Sequence, residues 1–400
     1  MNKKPLGQTE FIALMAMVAA TTAFSIDAML PAMPEIGAEL SPDNLNKAQL
    51  ILTSFVLGMG LGTFFTGTLS DAYGRKSVMV GGTVLYIIAA VVAWASSSLE
   101  MMLAARVVQG LGASGPRVVA MAMIRDLFGG RDMARIMSFV MVVFTLVPAL
   151  APTMGHYIIL AFGWRSIFVA FVIFAALVGA WLIIRQPETL AVENRRPLKI
   201  ISIVAATKEV FAIETTRLSI FIQMLTFGCL FMSLSSTQQI FDITFAQGDT
   251  FHLWFGGIAI SSATASLINA KFVGRLGMRA IIKATFIAQL ALTTCMILIT
   301  LLDGPYWLSF GMFVVWTAGA FFQAGLTIGN LNALAMEPVG HIAGVAASTI
   351  AAVSTVGAVI IAVPVGLAFN GTPLPMAFGV LTCTGVALWL TTKIKRPGEA

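Results

Sequence analysis

Charge is what this 400-residue sequence lacks most: 10% of its residues are Asp, Glu, Lys or Arg, against 58% hydrophobic. A water-soluble domain carries about a quarter charged residues, so lipid is the main solvent here. Cysteine is nearly as scarce. Cys229, Cys295 and Cys383 each fall inside an apolar run, lack metal-ligand spacing and cannot form an even disulfide set. They read as small core residues. His156, His252 and His341 are scattered without ligand spacing, His252 falling in an outer loop and His341 in the loop between the tenth and eleventh spans. No Gly-x-x-x-x-Gly-Lys-Ser/Thr phosphate loop is present, which sets ATP aside as an energy source. The apolar runs carry no Gly-x-Ser-x-Gly, no His-Glu-x-x-His and no acid–histidine cluster, which argues against a polytopic membrane enzyme. A receptor's sizeable output domain is missing too. No metal and no cofactor is expected.

What is there is apolar length. A helix needs roughly 20 apolar residues to cross about 30 Å of hydrocarbon. Twelve stretches qualify: 11–31, 48–69, 78–98, 101–124, 136–159, 164–184, 218–240, 253–272, 280–302, 306–330, 343–369 and 374–392. In lipid only helices or closed barrels satisfy the backbone, and barrel strands would alternate polar and apolar, which these runs do not. Lys3 and Lys4 ahead of the first run resemble a signal peptide, but the run is long and has no clear small-residue cleavage site. A retained first helix is expected.

The cations set the orientation. With both termini in the cytoplasm, only Lys47 and Arg165 of the 24 Lys and Arg fall outside, and Arg106 and Arg117 lie within a span. The rest, such as Arg75, Lys76, Arg131, Arg195, Arg196, Arg275 and Lys395, lie on the cytoplasmic side, as the positive-inside rule requires. The net charge of +6 is therefore a topology signal and no argument for nucleic acid. One inter-span segment, Arg185 to Arg217, is long and polar, with Pro187 and Pro197. It divides the chain into six spans over 1–184, a cytoplasmic linker over 185–217 and six spans over 218–400. Leu198 to Phe211 reads equally as a helix on the membrane surface or as plain linker. The halves echo each other: Gly67-Thr-Leu-Ser-Asp71-Ala-Tyr-Gly74-Arg75-Lys76 follows the second span, and Ala270-Lys-Phe-Val-Gly274-Arg-Leu-Gly277-Met-Arg279 follows the eighth. Internal repeats with a binding site at their interface are the usual plan of secondary transporters.

Asp27 is the only acid well inside a span. Ionisable groups are costly in the membrane and mark proton, ion or substrate paths. From the helix rise, Asp27 lies about 6 Å inside the outer end of the first span and Arg106 about 8 Å deep in the fourth. At that shared depth they are expected to face each other or to compete for one partner; a purely structural ion pair is the alternative. Ala16, Ala20 and Ala23 lie on the face of Asp27 and leave room beside it, while Phe24 offers an aromatic wall. Arg106 and Arg117, about three turns apart, bracket Gln109, Gly110 and Ala113. Arg117 is either a substrate contact or a side chain reaching for the cytoplasmic face. Gly58 and Gly62, one turn apart, suit close helix approach.

At these residues the chain resembles the major facilitator superfamily along essentially its whole length, and within it most of all the Bcr/CflA-type drug-resistance exporters. The 67–76 stretch matches that family's loop motif between helices two and three. Leu103-x-x-Arg106-x-x-Gln109-Gly110-x-Gly112-Ala113 matches the fourth-helix motif, and Asp27-Ala-Met-Leu-Pro31-Ala-Met-Pro34 looks like the first-helix signature of the drug exporters. Arg125-Asp126 and Gly163-Trp164-Arg165 are further subgroup-like marks. The antiporter motif of helix five departs: the family form has a Gly-Pro pair and then paired glycines, whereas here Ala151-Pro152-Thr-Met-Gly155-His156 follows an extra Pro148. A bent fifth helix at Pro148, Pro152 and Gly155 is expected.

The resemblance implies an all-α fold of two pseudo-symmetric six-helix bundles in a bacterial inner membrane. It implies a monomer that exports small amphipathic antibiotics, chloramphenicol-like or bicyclomycin-like, against protons by alternating access. A metabolite exporter or importer of the same fold is the alternative. Asp27 would carry the proton beside Arg106. Helices one, four, seven and ten would line the cavity, which makes Gln223, Gln323 and Asn330 substrate candidates alongside Ala20, Ala23, Phe24, Asp27, Gln109 and Arg117. Gly67, Asp71, Gly74, Arg75, Lys76, Arg125 and Asp126 would form a cytoplasmic gate. In it Asp71 would pair with Arg75 and Arg125 and meet the N-terminus of helix eleven.

Overall fold

The computed structural model of the protein describes residues 6–195 and 200–394. Lys3, Lys4, Arg196, Lys395, Pro197 and the start of the expected surface helix at Leu198 lie outside the described residues.

Among the described residues the regular structure is helical throughout. Eleven helical runs are long and apolar enough to cross a membrane. The longest, Tyr306–Leu367, has 62 residues, about three times what one crossing needs. It is two helices joined through Glu337–Ile342, where Val339 leaves the helical backbone at φ −113 and ψ 24. Twelve spans result: α1 (Gln8–Asp27), α2 (Gln49–Tyr73), α3 (Arg75–Trp94), α4 (Leu99–Leu127), α5 (Gly130–Phe162), α6 (Ser166–Arg185), α7 (Glu214–Gln239), α8 (Phe251–Leu276), α9 (Met278–Leu301), α10 (Tyr306–Met336), α11 (Ala343–Leu367) and α12 (Leu374–Thr391). The chain is a multi-pass membrane protein.

Helix α1 ends at Asp27, four residues short of the expected boundary. Pro31 and Pro34 are the cause. Proline has no N–H to give and its ring crowds the preceding turn. The chain goes on as a short 3-10 turn, Leu30–Ala32, and a separate helix, Met33–Leu40. Asp27 therefore occupies the last turn of α1. His252, expected in a loop, is the second residue of α8 and is buried.

The chain forms two compact units, Met1–Asp43 with Ser54–Ile201, and Asn44–Thr53 with Ser202–Ala400. In the first, the core runs through Phe11, Leu14 and Met15 of α1, Met79 of α3, Met123 and Ile124 of α4, Ile136 of α5 and Leu182 of α6. Within a bilayer such contacts depend on close packing more than on water exclusion. Glycine supplies the closeness between α2 and α4: a Cβ at Gly58 would collide with the Val107 carbonyl, and one at Gly110 with the Phe55 carbonyl.

In the second unit, Ile222, Ile282, Phe286, Leu331 and Leu334 form one core cluster. Another joins Val210 to Ala335, Val339, Ala346 and Ile350. Val210 belongs to a helix, Ile200–Ala212, in the linker. That helix packs against the turn between α10 and α11, and Glu209 Oε1 meets His341 Nε2 at 2.5 Å. The segment Asn44–Thr53 sorts with the second unit because its amides bond there. Asn46 Nδ2 donates to the Phe369 carbonyl at 2.8 Å, and Gln49 Nε2 to Gln239 Oε1 at 2.6 Å.

Candidate functional site

The centre of the first unit is built around a fully buried cation. Arg106 of α4 is 0% exposed. A buried charge must find acceptors or be neutralised; Asp27 makes no ion pair among the described residues. Instead Arg106 Nη1 donates to Gln109 Oε1 at 2.7 Å, one turn along the same helix. Nη2 donates to the Ser25 carbonyl of α1 at 3.1 Å. The guanidinium lies 4.3 Å from the centroid of the Phe55 ring on α2, an electrostatically favourable stack.

Ser25 ties in a third helix. Its hydroxyl donates to the Thr21 carbonyl at 2.7 Å. A hydroxyl has one hydrogen, so the Tyr86 hydroxyl of α3, also bonded to Ser25 Oγ, is the donor of that pair. Helices α1, α3 and α4 thus meet at a polar hub two residues before Asp27. The Gln109 amide nitrogen has no partner there, although it faces the Tyr86 hydroxyl. Ser25, Tyr86 and Phe55 were not singled out from the sequence. A signal existed for Tyr86, one of four tyrosines beside 28 phenylalanines.

Asp27 is 4% exposed. Its surroundings are fixed from two sides. Helix α5 runs unbroken through Pro148 and Pro152, and a Cβ at Gly155 would collide with the Ala28 carbonyl. Gly155 thus lets α5 touch the end of α1 beside the carboxylate. From the other, Trp164 Nε1 donates to Glu39 Oε2 at 2.7 Å and Arg165 Nη2 meets Glu39 Oε1 at 2.7 Å. These bonds pin the Met33–Leu40 helix that follows Asp27. The Arg165 guanidinium and the Trp164 indole hold the Glu39 carboxyl below its usual range.

The substrate candidates divide. Ala20 and Ala23 are buried with Asp27. Phe24 is no cavity wall: it packs on Phe171 and Phe174 of α6, with ring centroids 5.5 and 5.6 Å away. An aromatic cluster of α6 takes it up. Arg117 Nη1 reaches Met59 Sδ at 3.3 Å. In the second unit Gln223 of α7 and Gln323 of α10 are buried, and the Oε1 atom of each lacks a partner. Buried orphan acceptors are uncommon. Asn330 is committed elsewhere: its Nδ2 donates to Asn269 Oδ1 of α8 and to the Leu326 carbonyl, both at 2.8 Å.

The 67–76 loop closes on Arg75. Its Nη1 bonds both Asp71 and, at 2.7 Å, Ser70 Oγ, while Nε meets Asp126 Oδ2 at 2.9 Å. Ser70 Oγ in turn donates to the Gly67 carbonyl at 2.8 Å, and Lys76 Nζ to the Ile183 carbonyl at 2.8 Å. The expected pair between Asp71 and Arg125 does not form. Arg125 is exposed, and the neighbouring Asp126 faces the loop. Consecutive residues on a helix differ by about 100° in direction, so only one of the two can point there.

The model of the Major Facilitator Superfamily matches residues 13–362. A protein of Haemophilus influenzae named as a bicyclomycin resistance protein homolog is 29% identical over 385 residues, 94% of each chain. The multidrug resistance protein MdtL of Escherichia coli is 38% identical over 145 residues, 36% of each chain. Among solved structures, the xylose transporter XylE from E. coli superposes with a TM-score of 0.76 at 13% identity, over 98% of this chain and 99% of that one.

Proposed function

The chain belongs to the major facilitator superfamily, a family of transporters rather than enzymes, and we propose that it exports small amphipathic antibiotics in exchange for protons. Asp27 is the proton carrier in this reading. It is the single acid buried in the first unit's spans, it has no ion pair among the described residues, and a cation sits beside its helix. That juxtaposition carries the proposal.

The cycle uses the chain's own groups. Facing outward, Asp27 takes a proton and becomes neutral. Facing inward, it releases the proton, and substrate binding competes with its return. Arg106 stays within the hub and changes partner. While Asp27 is neutral, the guanidinium holds the Ser25 carbonyl and Gln109. When Asp27 is ionised, the charge two residues further along α1 draws it. A charge crossing the potential gains about 2.3 kcal/mol per 100 mV, so an electrical component to the exchange is expected.

The substrate class follows from chemistry and from relatives. Gln223 and Gln323 offer uncharged acceptor atoms without partners, which suits neutral, polar-edged molecules better than ions. Relatives named for bicyclomycin and multidrug resistance support the same class. A bacterial inner membrane, cytoplasmic termini and a monomer are part of this reading, as is the proton gradient as sole driver. The gate belongs to it as well: Asp71 latches the cytoplasmic side through Arg75. Export or import of a metabolite is the second reading. A growth-inhibition panel in a pump-deficient host tests the choice. Resistance to chloramphenicol or bicyclomycin with the wild type, and none with Asp27→Asn, is expected; no protection from any amphipathic antibiotic would favour the second reading.

A further inference from the structure

Helix α3 starts without a cap of its own. Gly74, its N-cap residue, has no side chain, and its backbone sits at φ +99, a left-handed conformation that glycine alone adopts freely. The first N–H groups of a helix have no partner inside it. Here a distant residue supplies one. Glu188, in the extended segment after α6, accepts from the Arg75 N–H through Oε1 at 2.9 Å and from the Lys76 N–H through Oε2 at 3.1 Å. The same carboxylate closes its own turn, Oε1 taking the N–H groups of Thr189 at 3.0 Å and Leu190 at 3.1 Å. A Cβ at position 74 would lie 2.5 Å from Glu188 Oε2. The positive φ calls for glycine there, and any larger side chain would also displace this carboxylate.

Two more bonds tie this region to α6 and α4. Lys76 Nζ donates to the Ile183 carbonyl at 2.8 Å. Thr189 Oγ1 donates to Asp126 Oδ2 at 3.2 Å, the oxygen that Arg75 Nε also uses. A carboxylate is well matched to this place. The helix N-terminus carries partial positive charge, and a hydrogen bond to an ionised acceptor is about twice as strong as one between neutral groups.

We infer that Glu188 is a positioning residue for the cytoplasmic latch. It fixes the first turn of α3, and with it the direction in which Arg75 leaves the backbone, so that one guanidinium serves Asp71 and Asp126 together. It touches neither substrate nor proton. The inference rests on the latch reading of the 67–76 loop.

The test uses the full chain in liposomes, with Glu188→Ala, Glu188→Gln, Asp71→Ala and the double variant Glu188→Ala/Asp71→Ala. Amide hydrogen exchange is followed in a peptide covering residues 71–80, and proton-driven uptake and equilibrium binding are measured with chloramphenicol as probe. In Glu188→Ala, exchange at Arg75 and Lys76 rises on the order of fivefold, as losing a helix cap implies. Glu188→Gln, which keeps one acceptor oxygen, rises less. Turnover falls while the binding constant stays, and Glu188→Ala takes no further turnover from Asp71→Ala. Unchanged exchange in Glu188→Ala overturns the placement of Glu188 alone, since that arm needs no substrate. A full additional loss on top of Asp71→Ala overturns its action through the latch. Raised exchange with export indifferent to Asp71→Ala overturns the latch itself, and the role of Glu188 with it.

Discussion

Replacing Arg106 separates a structural cation from a functional one. The guanidinium is buried and spans two acceptors, Gln109 Oε1 at 2.7 Å and the Ser25 carbonyl at 3.1 Å, with the Phe55 ring beneath it. Lysine keeps the charge but not the planar fork that reaches both acceptors. Arg106→Lys therefore forfeits one charged hydrogen bond, about 1.5–3 kcal/mol, and part of a cation–π contact of up to about 2 kcal/mol. A loss of roughly 2–4 kcal/mol is expected, and a melting temperature lower by several degrees. Arg106→Met removes the buried charge. It leaves two acceptors unpaired at about 1–3 kcal/mol each, and this is offset by no longer holding a cation out of water. The two variants are thus expected to be similar in stability, within about 2 kcal/mol of each other. They should differ in function: Arg106→Lys retains measurable export and Arg106→Met has none. Melting curves of the purified protein and drug accumulation in everted vesicles read the two axes separately. Equal loss of export in both variants would refute the idea that export uses the positive charge at this position.

Asp71→Ala, which takes one of the two carboxylates from Arg75, slows turnover more than it weakens substrate binding; matched losses in binding with turnover intact would count against the latch. Gly110→Ala forces α2 and α4 apart and costs about 1–3 kcal/mol, whereas Gly81→Ala, with nothing within 4 Å of the added carbon, leaves thermal stability unchanged; equal melting temperatures would refute the close approach. The Glu39–Arg165 pair predicts a pH effect. A carboxyl with a lowered pKa in the folded state, here through Arg165 and Trp164, adds stability above its unfolded value of 4.5 and loses it as pH falls through the folded one. Glu39→Gln is therefore less stable than the wild type at neutral pH, and the gap narrows as pH falls below 4.5; a gap independent of pH would remove the pair from the account.

Much of this architecture was readable from hydropathy because a bilayer leaves helices few alternatives. All twelve spans are there, with α10 and α11 separated by one non-helical residue pair of angles at Val339. The scarcity of charge made Asp27 and Arg106 conspicuous. Their relation was not readable, because Arg106 binds the Ser25 backbone carbonyl, and a carbonyl is the same at every position in a sequence. The end of α1 was legible in Pro31 and Pro34, yet the apolar run continues past them and hides it. Phe24 and Arg125 show a different limit. Phe24 was placed by helical phase and Arg125 by the resemblance, and one residue along a helix turns a side chain by about 100°, enough to aim it at a different neighbour. Glu188 was invisible for a third reason: it acts on a helix that starts 113 residues earlier in the chain, and no local pattern joins the two.

The most direct measurement follows drug uptake into everted membrane vesicles that hold equal amounts of wild type or Asp27→Asn, with the pH gradient intact or collapsed by an ionophore. Wild type is expected to accumulate drug against its gradient only while the pH difference stands. Asp27→Asn is expected to be inserted and to bind drug, yet to accumulate none under either condition. Wild-type accumulation by Asp27→Asn, or accumulation that ignores the collapsed gradient, would contradict the assignment of proton coupling to this carboxylate.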